Sequence, residues 1–459
     1  MAGAVAVGVA APCVAQFSFA PVINNELPTG HTPTAFVLRD LDGDGLLDAI
    51  VCGRNLTNET PRRTRISILR NVGGGAFVPW QELFASGGTG EALAVEDFDG
   101  DGRFDIAVSL NGPVIGLEVF LGTPNGFVPH ATAILEREPR GMQPGDFDGD
   151  GDLDLAVANY SSSSITVLTN DGAGRFTPTR SIRVVPYSGG VPFPNQALVG
   201  DVNGDGHPDL VGITIGGARV SVALNRGDGT FLTPVDWRIP RIEAEQPAMT
   251  TARLADIDGD GDLDVVAASL LLSTQQRVYV FRNLGNGRFG PREFVASAPA
   301  GYAWSPAVGD LDGDGRPDLA VGTALAGFIA LHRNETATPS APLDLPLVPL
   351  FLFNATFNRE MVMVDIDNDC DLDLVGIEIA ISTLFVYRNE TPQQDGCGGG
   401  GIAAVPDGGK PPAWPVGRVP LPADDAERAA YLLEAFAPGS AAARAAETAP
   451  RTGRKGGPR

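Results

Sequence analysis

The chain has 459 residues, 56 of them acidic against 33 basic, and a formal net charge of −23. A molecule that acidic repels phosphates, so a nucleic-acid partner is excluded on charge. No run of about twenty apolar residues occurs beyond the N-terminal region, so no membrane span is expected.

Taken in chain order, residues 1–15 read as an export leader. The apolar stretch MAGAVAVGVAAPCVA ends in small residues before Gln16, although the usual basic start is missing. Export predicts a secreted or cell-surface protein, extracellular or periplasmic. The next feature is DLDGDGLLD at Asp40, and it returns as DFDGDGRFD at Asp97, DFDGDGDLD at Asp146, DVNGDGHPD at Asp201, DIDGDGDLD at Asp256, DLDGDGRPD at Asp310 and DIDNDCDLD at Asp365. The starts are 57, 49, 55, 55, 54 and 55 residues apart. Self-similarity at a near-constant period signals a repeat architecture.

These motifs hold 30 of the 56 acidic residues, so the acidity is mostly ligand supply. An EF-hand is excluded, because its twelfth position needs a bidentate Glu. Here that position holds Val51, Val108, Val157, Gly212, Ala267, Val321 and Gly376. A single-nucleophile D-x-D phosphotransferase has no use for seven copies. The spacing does suit a hard cation: positions one, three, five and nine offer side-chain oxygens and position seven a backbone carbonyl. Oxygen-only donors in a flexible loop select calcium over zinc, and their number favours calcium over magnesium.

The predicted ligands in the first loop are Asp40, Asp42, Asp44, Leu46 and Asp48, and in the second Asp97, Asp99, Asp101, Arg103 and Asp105. The third offers Asp146, Asp148, Asp150, Asp152 and Asp154, the fourth Asp201, Asn203, Asp205, His207 and Asp209. The fifth offers Asp256, Asp258, Asp260, Asp262 and Asp264, the sixth Asp310, Asp312, Asp314, Arg316 and Asp318. The seventh offers Asp365, Asp367, Asp369, Asp371 and Asp373, with Asn368 and Cys370 replacing the turn glycines of the other copies. Up to seven calcium ions are therefore expected, the seventh in the least regular loop.

Around each loop the pattern is that of strands. In the second copy, Ala92–Val95 enters the loop, Asp105–Leu110 leaves it, and Leu117–Gly122 and Gly126–Ala133 follow. Four strands in about 55 residues, seven times over, predict an all-β, seven-bladed β-propeller of four-stranded blades. A β-helix has much shorter rungs. The seventh copy runs out after Thr391 without a fourth strand, and QFSFAPV at residues 16–22 resembles the missing element. The N-terminus is expected to close the ring, with PLVPLFLF as the fourth strand of blade six. The propeller is assigned to 16–397 and a linker and tail to 398–459, where DDAERAAYLLEAF at Asp424–Phe436 predicts a short helix.

The seven motifs and their strands resemble the FG-GAP/VCBS repeat family, best known from the propellers of integrin α-chains. The resemblance covers residues 16–391. It implies acidic loops on one face, between the first and second strands of each blade, that bind calcium. It also implies a part in adhesion, ligand binding or carbohydrate recognition, although some lyases and lipases carry such repeats.

On this reading the calcium loops are scaffolding, and recognition of an extracellular glycan or protein falls on the opposite face of a monomeric ring. The loops there vary: Arg54–Arg65, Tyr187–Phe193 and Ala300–Pro306. Tyr187, Tyr302 and Trp304 are the candidate ligand-stacking rings; the alternative is that they pack the rim between blades. The rival function is a polysaccharide lyase or hydrolase on the same scaffold. No catalytic residues are assigned: of the four histidines only His31 falls in a loop, and no G-x-S-x-G occurs. Cys52 reads as a buried free thiol, and Cys370 and Cys397 are placed to form a disulfide.

Overall fold

The computed structural model describes residues 17–28, 31–55, 63–112, 115–183, 193–215, 219–238, 248–270, 277–296, 302–324, 328–353 and 358–391. Strands group into seven four-stranded antiparallel sheets, the blades of a propeller. In blade 1 the strands run His31–Arg39, Asp48–Asn55, Thr64–Asn71 and Phe77–Ala85. Blades 2 to 6 repeat this order, each acidic loop joining a first strand to a second. The expected fold is the one observed. The leader, the tail and Cys397 lie outside the described residues.

Ring closure also follows the expectation, with one adjustment. Blade 7 is built from Asn358–Val364, Asp373–Glu378 and Thr383–Tyr387, completed by the N-terminal strand Ile23–Glu26. Ile23 faces Val386 and Glu26 faces Thr383. The preceding residues bridge rather than form the ladder: Phe19 pairs with Asn389, and the Ala20 N–H donates to the Arg388 carbonyl at 2.8 Å. Pro21 has no N–H to give, so the regular ladder resumes only beyond it. Blade 6 takes Leu347–Phe353 as its fourth strand.

One apolar cluster fills each of the seven seams between neighbouring blades. In the seam between blades 4 and 5, Val211 and Val222 pack with Val265 and Tyr279. The second strands are covered on both faces, which is why they read as continuous apolar runs such as DLAVAN, buried throughout. The fourth strands form the rim, and Phe176–Arg183 is exposed over most of its length. Every first strand carries a β-bulge near the end away from its acidic loop, for example between Pro33 and Ala35 and between Ala303 and Ser305. The bulged residues tie adjacent blades: Thr34 Oγ1 donates to the Gly90 carbonyl at 2.8 Å and Asn195 Nδ2 to Thr250 at 2.6 Å.

Candidate metal centres

The acidic turn has the same internal logic in all seven blades. In the first, Gly43 N–H donates to Asp40 Oδ1 at 2.8 Å and Gly45 N–H to Oδ2 at 2.9 Å. Leu46 N–H donates to Asp44 Oδ1 at 2.9 Å. Asp48 closes the turn, accepting from Leu41 N–H at 3.1 Å and from Asn71 N–H at 2.9 Å. Gly43 and Gly45 have φ of 77° and 89°, which a residue with a Cβ adopts only at a cost. The loop thus curls around its own carboxylates. Oxygens of Asp40, Asp42 and Asp48 come within 4.8 Å of one another, as do those of Asp97, Asp99 and Asp101 and of Asp146, Asp148 and Asp154. Asp256, Asp258 and Asp260, and Asp310, Asp312 and Asp318, gather in the same way.

The seventh loop departs where its sequence does. Asn368 and Cys370 hold φ of 61° and 78° without being glycine. Each is anchored. Asn368 Nδ2 donates across the seam to the Gly45 carbonyl at 2.8 Å, and Cys370 is disulfide-bonded. Its N–H still donates to Asp365 Oδ2 at 3.0 Å, so the turn keeps its shape.

Packing carboxylates this way costs electrostatic energy. Burial, with repulsion from neighbouring aspartates, pushes Asp48, Asp105, Asp154 and Asp209 up to about 6, against the backbone hydrogen bonds that lower them. The same causes take Asp373 to about 7 and Asp264 and Asp318 to about 8. Asp148, Asp312, Asp367 and Asp371 each bury an Oδ1 that no hydrogen bond reaches. Such an acceptor is expensive unless something positive meets it. Oxygen-only donors, short mutual distances and unsatisfied buried acceptors make these clusters groups that could hold a hard divalent cation.

Six of the seven centres are tied to a neighbouring blade by an asparagine. The asparagine ending a third strand gives its N–H to the ninth-position aspartate and its side chain to the preceding blade's loop. Asn283 N–H donates to Asp264 Oδ1 at 2.7 Å, and its Nδ2 to the Val202 carbonyl at 2.7 Å. Asn71, Asn170, Asn225, Asn334 and Asn389 reach Ile366, Phe98, Phe147, Ile257 and Leu311 in the same way. Blade 2 lacks this clamp, because Gly122 occupies the place and a Cβ there would lie 2.3 Å from the Phe104 carbonyl oxygen. The seam between blades 1 and 2 instead carries a buried ion pair, Arg39 to Glu96 at 2.7 Å. Asn283→Ala should cost about 1–3 kcal/mol, the usual loss when buried carbonyls forfeit their donor. The urea midpoint measures it; an unchanged midpoint would show that the clamp is dispensable.

A family model described as an FG-GAP-like repeat matches residues 54–108, 146–212, 201–267 and 256–321, just over half of the sequence. The chain belongs to the FG-GAP-like repeat family. No curated protein matches it in sequence. Among solved structures, BBS1N from its complex with ARL6DN has a TM-score of 0.53 at 12% identity, covering 84% of this chain and 100% of that one. A Lactobacillus plantarum protein has a TM-score of 0.50 at 13% identity, covering 71% and 85%. An Agrocybe aegerita lectin that recognises non-reducing terminal N-acetylglucosamine has a TM-score of 0.43 at 20% identity, covering 69% and 81%. At these identities the first two show a likeness of fold alone.

In three of the FG-GAP-like loops the side chain at the seventh position also makes a contact. Arg103 pairs with Asp101 and Arg316 with Asp314. The His207 ring lies under Gly227, where any Cβ would come within 2.4 Å of it. Asn203 turns its amide to Asp205 at 2.9 Å, so the fourth loop has one carboxylate fewer. The candidate ligand rings fare differently. Trp304 is fully buried, in the bulge of a first strand, and presents no ring to solvent. Tyr187 and the Tyr302 side chain lie outside the described residues. His130 bonds to the Ala173 carbonyl at 2.9 Å and buried His332 to the Leu345 carbonyl at 3.0 Å, while His31 begins a strand rather than lying in a loop. Cys52 is free and buried, its thiol pushed up to about 12 by burial.

Sequence reasoning missed one set of residues altogether. Arginines that end four third strands pair with the third-position aspartate of their own loop. Arg70 meets Asp42 at 2.9 Å, Arg282 meets Asp258 at 3.1 Å, Arg333 meets Asp312 at 2.7 Å and Arg388 meets Asp367 at 3.5 Å. The signal was present as a recurring Arg-Asn dipeptide, at 70–71, 282–283, 333–334 and 388–389.

Proposed function

We propose that the chain is an exported calcium-binding propeller that recognises an extracellular glycan or protein on the face opposite its metal loops. The observation that carries this reading is the gathering of carboxylate oxygens within 4.8 Å of one another in the acidic loops, where the ninth-position aspartates are buried. Ions held there would brace loops that are hydrogen-bonded to the neighbouring blade, which suits scaffolding rather than chemistry. The other end of the blades varies from repeat to repeat and offers polar groups on a firm base. In blade 3, Tyr160 is packed between the Arg140 guanidinium, 4.3 Å from its ring centre, and the Phe193 ring at 4.8 Å. Nearby, hydroxyls of Ser181, Ser164, Ser162 and Thr166 outweigh burial and hold Glu136 below the usual carboxylate range, which keeps it charged.

Equilibrium dialysis with radioactive calcium, followed by glycan and surface-protein arrays with and without the ion, tests the proposal. Binding of several ions per chain and a specific glycan or protein signal support it. Cleavage of a polysaccharide by the purified chain would replace recognition with the enzymatic reading, and no calcium binding would remove the metal from it.

A further inference from the structure

The seven loops differ in the positive charge already supplied to them. Loop 3 has five carboxylates, Asp146 to Asp154, and among the described residues no arginine pairs with any of them. Its third strand ends in Thr169-Asn170 instead of Arg-Asn. Loop 6 is the opposite case. It has four carboxylates and two arginines, Arg333 on Asp312 and Arg316 on Asp314. Asp312 is only 1% exposed, one oxygen against Arg333 and the other without a hydrogen bond. Loops 1, 5 and 7 carry one such arginine each, Arg70, Arg282 and Arg388.

We infer that these arginines are resident counter-ions that grade calcium affinity around the ring, with loop 3 the tightest site and loop 6 the weakest. The inference rests on the calcium reading above. A guanidinium on the third-position carboxylate acts in two ways. It offsets part of the ligand's charge when no metal is present, and it sets a positive charge beside the incoming ion. A unit charge about 6 Å from a divalent ion in a water-like dielectric lowers affinity about tenfold. Ligand charge count tunes calcium loops in the same direction. The two arginines of loop 6 by themselves should then make it need about a hundredfold more calcium than loop 3. As calcium falls, the ring loses its ions from loop 6 first, while the arginines keep that turn closed.

Hydrogen–deuterium exchange of the full, metal-stripped chain across a calcium titration resolves the loops peptide by peptide. Protection of 146–154 is expected at about a hundredfold lower calcium than protection of 310–318. Thr169→Arg installs the missing arginine and should raise the half-point of loop 3 about tenfold without moving loop 6. Arg333→Gln should lower the half-point of loop 6 about tenfold. Arg333 also lies 4.9 Å from the Phe17 ring centre, so the Thr169 variant decides if the other fails to fold. All loops filling together, or loop 3 unmoved by Thr169→Arg, overturns the grading. No response at any loop overturns instead the calcium reading on which it stands.

Discussion

Metal-stripped protein is expected to lose stability as pH rises from 5 to 8, and calcium is expected to restore it most at pH 8. The seven ninth-position aspartates carry the sign. In the metal-free folded state they are raised, chiefly by burial, to about 6 for Asp48, Asp105, Asp154 and Asp209, about 7 for Asp373 and about 8 for Asp264 and Asp318. The folded chain therefore binds more protons than the unfolded one across that window. Stability from these groups is complete below the ordinary carboxylate range and drains as pH climbs through 6 to 8. Calcium must displace those protons, so its binding should release protons and tighten with pH.

At ten times its dissociation constant an ion contributes about 1.4 kcal/mol per site. Several such sites in a domain this large amount to a shift in melting temperature on the order of 10 °C. Thermal unfolding of metal-stripped protein with and without added calcium, at pH 5 and pH 8, measures this directly. Magnesium at equal concentration should restore less, because it demands near-ideal octahedral geometry and sheds its waters reluctantly. A calcium response that is absent, or larger at pH 5 than at pH 8, would contradict the assignment.

Deleting residues 17–26 should damage the molecule even more. It removes the strand Ile23–Glu26 and exposes the edge of Thr383–Tyr387, an apolar strand whose N–H and C=O groups would then be unpaired. It also removes Phe17, which is buried against Leu311 and Tyr387, and Val22 beside it. Each large apolar side chain returned to water costs roughly 1.5–3 kcal/mol, and blade 7 loses the strand that completes it. Size-exclusion chromatography is expected to show aggregates, and any monomer to melt at least about 10 °C lower. A monomeric variant with unchanged melting would mean that the other six blades hold the ring without closure.

What could be read in one repeat was legible in the sequence. The D-x-D-x-D-G-x-x-D turn needs only residues within nine positions of one another, and its hydrogen bonds are local, Gly45 to Asp40 or Leu46 to Asp44. Period-two strands and the absent fourth strand of the seventh copy are equally local signals, and the 55-residue period supplied the blade count. The seams were not legible. Asn225 donates to Phe147, 78 residues earlier, and Asn71 to Ile366, 295 residues later. The Arg-Asn dipeptides were visible, but their partners are chosen by how one turn lies against another. The compensating pair Arg39 and Glu96, in strands of different blades, has no motif at all. Trp304 shows the same limit from the other side. A two-residue alternation places side chains on alternate faces, but a bulge adds a residue and resets the count. Whether that ring met solvent or the interior was decided by the bulge between Ala303 and Ser305 and the blades packed around it.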